Sequence, residues 1–340
     1  MDVENTVLSP SSTTPRERRF TLPDGMELAA KEWGSPGGVP ILALHGWLDN
    51  SNTWDNFLPL FLQNFPPNHL HIIALDFAGH GRSAHRHPQA EYQLFNHVKD
   101  VIAVTNLLGW QRFALLAHSM GAGVSFLLAA TLPSRVSHLI SVENLGPPPR
   151  DDARSAKALI EAATFHNTQF VNQAAGRPPR RRIYPTLEAA AVVRAAGSKR
   201  MPLSLDAATV LTERNSMHVD GGVQFTTDQR LKDPTPHGPT PSISRLLFTG
   251  ITCPVLVILG EDGLFVPHPQ EPGLPQPPNW DNGTPRLTVI TLPGAHHLHL
   301  EHDTAPGTVE AACNWLKDHP LNIPAPRPRN AKAPVKAYKL

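Results

Sequence analysis

Phe113-Ala114-Leu115-Leu116-Ala117-His118-Ser119-Met120-Gly121-Ala122-Gly123 is the stretch on which the reading of this chain turns. Apolar residues lead straight into Ser119, and a helix-forming run, 124–130, leads straight away from it. The pattern predicts a strand, a sharp turn and a helix, with the serine at the apex. Such a turn presses the residues two before and two after the serine against neighbouring backbone, so both must be small; Ala117 and Gly121 are. A hydroxyl held there can meet an acyl carbonyl, while the start of the following helix favours developing negative charge. A serine that merely caps a helix would have the same pentapeptide. Its place after the third parallel-type strand favours a nucleophile.

Outward from this turn, a continuous apolar run at 39–44 and similar runs at 71–75, 113–117, 136–142, 255–259 and 287–292 have the composition of strands buried on both faces. Between them lie helix-length segments with apolar residues at three- and four-residue spacing. Trp54, Phe57, Leu58 and Phe61 form one stripe; Val98, Val101, Ile102, Thr105 and Leu108 form another, stopped by Gly109. A hairpin over 18–33 turns at Pro23-Asp24-Gly25. The alternation predicts a mostly parallel central sheet with helices on both faces. It breaks after the sixth strand, where Pro147-Pro148-Pro149 opens a helical segment, clearest at 187–196 and 207–214, with no convincing buried strand. The expected organisation is a core of 18–146 and 246–318 and a helical lid of 147–245. A disordered segment, 1–17, precedes them, and a proline-rich basic tail, 319–340, follows.

The 340 residues suffice for one such domain with an insertion, and 30 Lys and Arg balance 29 Asp and Glu. That balance offers no footprint for nucleic acid or an anionic membrane and suits a small neutral substrate. Two cysteines, Cys253 and Cys313, make no disulfide framework and fit a reducing compartment. With no secretory stretch and no membrane-spanning run, a cytoplasmic protein is expected; the terminal Lys-Leu matches only part of a Ser-Lys-Leu peroxisomal address. The oligomeric state is not set by the sequence. Pro residues gather at 234–241, 267–278 and 320–334, marking loops or tails.

A serine hydroxyl needs a base, and the histidine expected to serve is one just after the last strand. Leu292-Pro293-Gly294-Ala295-His296-His297 stands there, with His296 first and His297 second among candidates. His299 and His302 nearby invite a metal reading, but no second cluster of acids or cysteines at ligand spacing accompanies them, so neither metal nor cofactor is expected. Two carboxylates can orient the imidazole. Asp262, beyond the run at 255–259, gives the chain order Ser, Asp, His and is preferred. Glu143, ending the run at 136–142, is the alternative. For the oxyanion hole the amide of Met120 pairs with that of Trp47, and Gly46 permits close backbone approach. Gly46, Leu48 and His118 are expected to line the substrate.

His45-Gly46-Trp47-Leu48-Asp49-Asn50, Asp76-Phe77-Ala78-Gly79-His80-Gly81-Arg82-Ser83, His118-Ser119-Met120-Gly121 and Gly294-Ala295-His296 resemble the successive landmarks of α/β-hydrolase-fold serine hydrolases. The resemblance covers about 20–317. Within that superfamily the chain is most similar to the serine hydrolase-like proteins, through the first motif, Glu143-Asn144-Leu145-Gly146-Pro147 and Asp220-Gly221-Gly222-Val223-Gln224-Phe225-Thr226-Thr227-Asp228. Serine at 119, rather than aspartate, separates it from the haloalkane dehalogenase and epoxide hydrolase branches. The resemblance implies cofactor-free hydrolysis of an ester or related acyl bond through an acyl-enzyme. The family's acid loop usually has one more residue between glycine and aspartate than Gly260-Glu261-Asp262 provides, and some relatives carry the acid where Glu143 stands. The competing expectation is a catalytically inactive hydrolase-fold module that binds a ligand or protein.

Overall fold

The structure, a computed structural model, describes residues 14–177, 181–197, 201–265 and 287–324. Residues 1–13 of the expected N-terminal segment, the proline cluster at 267–278 and 325–340 of the expected tail lie outside the described residues.

In chain order the first half contains β1 (Arg16–Thr21), β2 (Glu27–Gly34), β3 (Val39–Leu44), α1 (Phe57–Leu62), β4 (Leu70–Leu75), α2 (Leu94–Leu107), β5 (Phe113–His118), α3 (Met120–Thr131) and β6 (Val136–Val142). The hairpin thus begins two residues before the expected position, and Arg16 and Glu17 belong to a strand. After β6 come α4 (Asp152–Ala174), β7 (Ile183–Tyr184), α5 (Leu187–Ala195), α6 (Leu205–Arg214), β8 (Ser216–Val219), β9 (Gly222–Phe225) and α7 (Pro241–Thr249). The chain then supplies β10 (Val255–Asp262), β11 (Leu287–Ala295) and α8 (Ala305–Asp318).

The large sheet runs β1-β2-β4-β3-β5-β6-β10-β11. β2 pairs antiparallel with β1 and β4, and every other pairing is parallel. Because side chains alternate along a strand, each central strand feeds two cores. Leu42, Leu44, Leu115, Ala117, Val255 and Val257 face α2, α3 and α7, whose Val98, Val101, Phe126 and Phe248 complete one cluster. Ile41, Ala43, Ala114, Leu116, Leu256 and Ile258 face α1 and α8, whose Phe57, Phe61, Val309 and Trp315 complete the other. The run at 287–292 departs from the expected double burial. It forms the edge strand β11, half covered along its length, with Val289 49% exposed. An edge strand keeps one side without a partner, so apolar composition alone does not place a strand centrally.

The segment between β6 and β10 is not purely helical. β8 and β9 form a hairpin across Asp220-Gly221, and β7 adds to β9 in a three-stranded antiparallel sheet. Polar ties fasten this insertion to the core. Arg214 of α6, 2% exposed, meets buried Asp76 at 2.8 Å and Glu17 of β1 at 2.7 Å. The side-chain amides of Asn50 and Asn52 donate to Leu211 and Val210 carbonyls in α6, and that of Asn215 donates to Leu48. Breaking a buried pair strands its partner, so Arg214→Met should cost about 3–5 kcal/mol of unfolding free energy. Urea unfolding monitored by circular dichroism measures this; a loss under 1 kcal/mol would mean that Asp76 is not held as described.

Candidate active site

β5 ends at His118 and α3 begins at Met120, leaving Ser119 alone on the turn at φ 50° and ψ −115°. A non-glycine residue there stores about 1–3 kcal/mol of strain. Surrounding bonds hold it: the Ser119 amide donates to Val142 at 3.0 Å, and the Asn144 side chain donates to the Ser119 carbonyl at 2.7 Å. The small neighbours have a measurable cause, since a Cβ at position 121 would lie 2.6 Å from the carbonyl oxygens of Leu44 and His45.

His296 follows β11 and is 2% exposed. Its Nε2 lies 3.0 Å from Ser119 Oγ, and its Nδ1 lies 3.0 Å from Glu143 Oε2. The carboxylate can only accept, so Nδ1 carries the proton and Nε2 presents a lone pair to the serine hydroxyl. Glu143 comes directly after β6 at φ 54°, fully buried. The amides of Gly260 and Leu264 donate to its two oxygens at 2.7 and 2.8 Å. A Cβ at position 263 would be 2.2 Å from Glu143 Oε1, so Gly263 is dictated by this close approach.

The structure corrects the preference for Asp262 as the partner of His296. The short loop after β10 turns its backbone amides, not its acid, towards the imidazole's neighbour, and Asp262 remains exposed at the strand end. Glu143 fills the place beside His296. Burial opposes charge on Glu143, yet hydrogen bonds from His296, Gly260 and Leu264 outweigh it and hold the carboxyl below its ordinary range. For His296 burial dominates and pushes the imidazole down, with Glu143 offsetting only part of the shift.

Met120 opens α3, where helix amides lack an intrahelical acceptor. The amide of Trp47 has no partner among the described residues. Its loop is fixed by His45, a residue missed from sequence. His45 Nε2 accepts from the Phe77 amide at 3.0 Å, so Nδ1 must donate to the Gly46 carbonyl at 2.7 Å. Burial lowers His45 to about 4, keeping it neutral in that tautomer. The Trp47 indole donates to Leu231 at 2.8 Å and lines a cavity of about 930 Å³ with Met120, Phe95, Leu127, Pro147 and Leu231.

None of the three expected substrate contacts lines the large cavity. His118 is fully buried, its Nε2 donating to the His296 carbonyl at 2.9 Å, and it does not line the cavity. Gly46 is buried against Asp49 and His118. Leu48, at φ 63°, lines a second, smaller cavity instead. Asp49 is a further residue missed from sequence. Its Oδ2 accepts from His297 Nε2 at 3.2 Å and lies 3.5 Å from His118 Nδ1, while Arg194 of α5 donates to Oδ1 at 2.6 Å. Asp49, His118 and His297 therefore bring metal-ligating atoms within 4.8 Å of one another, a grouping that spacing alone did not reveal. Arg194 already neutralises that carboxylate, and the whole cluster braces the segment bearing His296 from behind.

The family profile described as "alpha/beta hydrolase fold" matches residues 39–303. A "Serine hydrolase-like protein" of Danio rerio is 30% identical over 305 residues, covering 86% of each chain. A namesake from Dictyostelium discoideum is 28% identical, covering 83% of this chain and 76% of that one. The crystal structure of a hypothetical protein from Pseudomonas aeruginosa PAO1 superposes with a TM-score of 0.75 at 36% identity, over 88% of this chain and 99% of that one. The thioesterase domain from the curacin biosynthetic pathway, at 22% identity and a TM-score of 0.66 over 89% and 99% of the two chains, shares the fold. With strand order and serine turn alike in place, the chain belongs to the α/β-hydrolase-fold family, among its serine hydrolase-like members, and is a hydrolase.

Proposed function

We propose that this hydrolase cleaves an ester or related acyl bond through an acyl-enzyme on Ser119. One observation carries the reading: a single imidazole bridges a strained serine and a buried carboxylate at 3.0 Å on either side. Ser119 Oγ attacks the acyl carbonyl as His296 Nε2 takes its proton, and the imidazolium formed is stabilised by Glu143. The Trp47 and Met120 amides receive the oxyanion. The carbon–leaving-group bond breaks with the proton returned from His296, and water, activated by the same base, releases the acid. The apolar cavity beside Met120 takes the acyl chain, and the segment between β6 and β10 covers it as a lid.

Labelling with a fluorophosphonate probe tests this directly. The wild type should label and Ser119→Ala should not; an unlabelled wild type would leave a hydrolase-fold binding protein as the reading.

The pH profile is a second test. His296 must be neutral to act, so kcat/KM rises with pH through its free-enzyme pKa. Burial holds that pKa below the ordinary histidine value of 6.5, so the acid limb should have its midpoint under 6.5. A midpoint above 7 would contradict the assigned environment.

A further inference from the structure

The small cavity lined by Leu48 gathers cationic side chains. It measures about 250 Å³ and lies between the three-stranded sheet of the insertion and the Trp47 loop. Arg181, Arg182, Arg194 and Lys232 line it, against a single acid, Asp228. Two of these groups are spent elsewhere: Arg194 is neutralised by Asp49, and Asp228 is held by Arg230 and Tyr92. Arg181 donates to the carbonyls of Phe225 and Thr226, which orient its guanidinium without cancelling its charge. Arg182 stacks on Tyr184 at 5.0 Å, and neither it nor Lys232 has a carboxylate partner among the described residues. Three uncompensated cations thus face one concavity in a chain whose net charge is only +1. Lys232 also lines the large cavity, so the two spaces border on a common residue.

We infer that the substrate is an acyl ester or thioester whose leaving group carries phosphate, the acyl chain lying in the large cavity and the phosphate in the small one. This rests on the proposed serine chemistry and deepens it. Guanidinium groups with fixed orientation suit phosphate oxygens, and a concave cationic wall raises the local concentration of an anionic substrate. The near-zero net charge that suggested a neutral substrate averages over this local excess. Ser119 still takes the acyl group, and the phosphorylated alcohol or thiol departs with the proton from His296.

The test compares matched pairs. Hexanoyl-coenzyme A is set against hexanoyl-N-acetylcysteamine, which shares the thioester but lacks phosphate, and dihexanoylphosphatidate against dihexanoylglycerol. A preference of about tenfold or more in kcat/KM for the phosphorylated member of one pair is expected, and the pair that shows it names the source of the phosphate. In Arg182→Ala/Lys232→Ala that ratio should fall by about tenfold, as it should when salt is raised. Calorimetry with inorganic pyrophosphate on the Ser119→Ala protein reads the site without turnover, and binding should be lost when Arg182→Ala and Lys232→Ala are added to it. Neutral substrates cleaved with no phosphate preference, or a preference untouched by the double variant, would overturn the inference and leave the serine chemistry standing. No cleavage of any substrate alongside intact pyrophosphate binding would sink the serine chemistry instead.

Discussion

Ser119→Ala should lower kcat by about 10⁵–10⁶-fold on any substrate that the wild type turns over, with KM changed little. The size follows from the division of labour at the site. Removing the hydroxyl removes the covalent route altogether, while the Trp47 and Met120 amides and the apolar cavity stay in place. Those remaining groups sustain only the residual acceleration of bound water, about 10³–10⁴-fold over the uncatalysed rate. Folding should be unaffected, since among the described residues the hydroxyl bonds only to His296, and the turn is held by the Ser119 amide on the Val142 carbonyl and by the Asn144 side chain on the Ser119 carbonyl. Steady-state kinetics with thermal unfolding as a control would measure both. A variant retaining more than a hundredth of wild-type kcat would show that another group is the nucleophile.

Features set by local chemistry were legible in the sequence. The turn around Ser119 is written in one uninterrupted run, because a strand, small flanking residues and a helix former must all be adjacent to build it. The same holds for β3, β4, β6 and β10, whose double burial favours runs rich in apolar residues, interrupted in β4 by His71 and in β6 by Ser137, His138 and Ser141. What the sequence did not disclose depends on contacts between distant segments. β7 has two residues and β8 and β9 have four each, too short for a periodic signal, so the insertion read as wholly helical. The sequence reading sets His118 among the substrate contacts. Yet it shares the parity of Ala114 and Leu116, which face α1 and α8, the side away from the α2 and α3 residues lining the large cavity. That parity was available, and it would have turned His118 inward. His45 and Asp49 were missed for a different reason: a buried polar residue is visible only through the groups that satisfy it.

Glu143→Gln should lower kcat by about 10³–10⁴-fold, whereas Asp262→Asn should stay within about twofold of wild type. The carboxylate only accepts, and that fixes the proton on His296 Nδ1 and frees Nε2 for the serine. A glutamine amide can turn its NH₂ to Nδ1 and so place the imidazole proton on Nε2, where it blocks proton removal from Ser119. It also takes away the negative charge that raises the His296 pKa. The acid limb of kcat/KM should therefore move to lower pH even as the plateau collapses, a combination that simple unfolding does not produce. Glu143→Asp keeps the charge and the acceptor but withdraws them by one methylene, and should recover part of the loss. Asp262 is exposed at the end of β10, between the Gly260 and Leu264 amides that grip Glu143, and its side chain makes no hydrogen bond with that carboxylate among the described residues, so neutralising it leaves the imidazole's partner untouched. Equal losses in the Gln and Asn variants, with unchanged pH midpoints, would mean that the loop after β10 rearranges in solution to present its own acid.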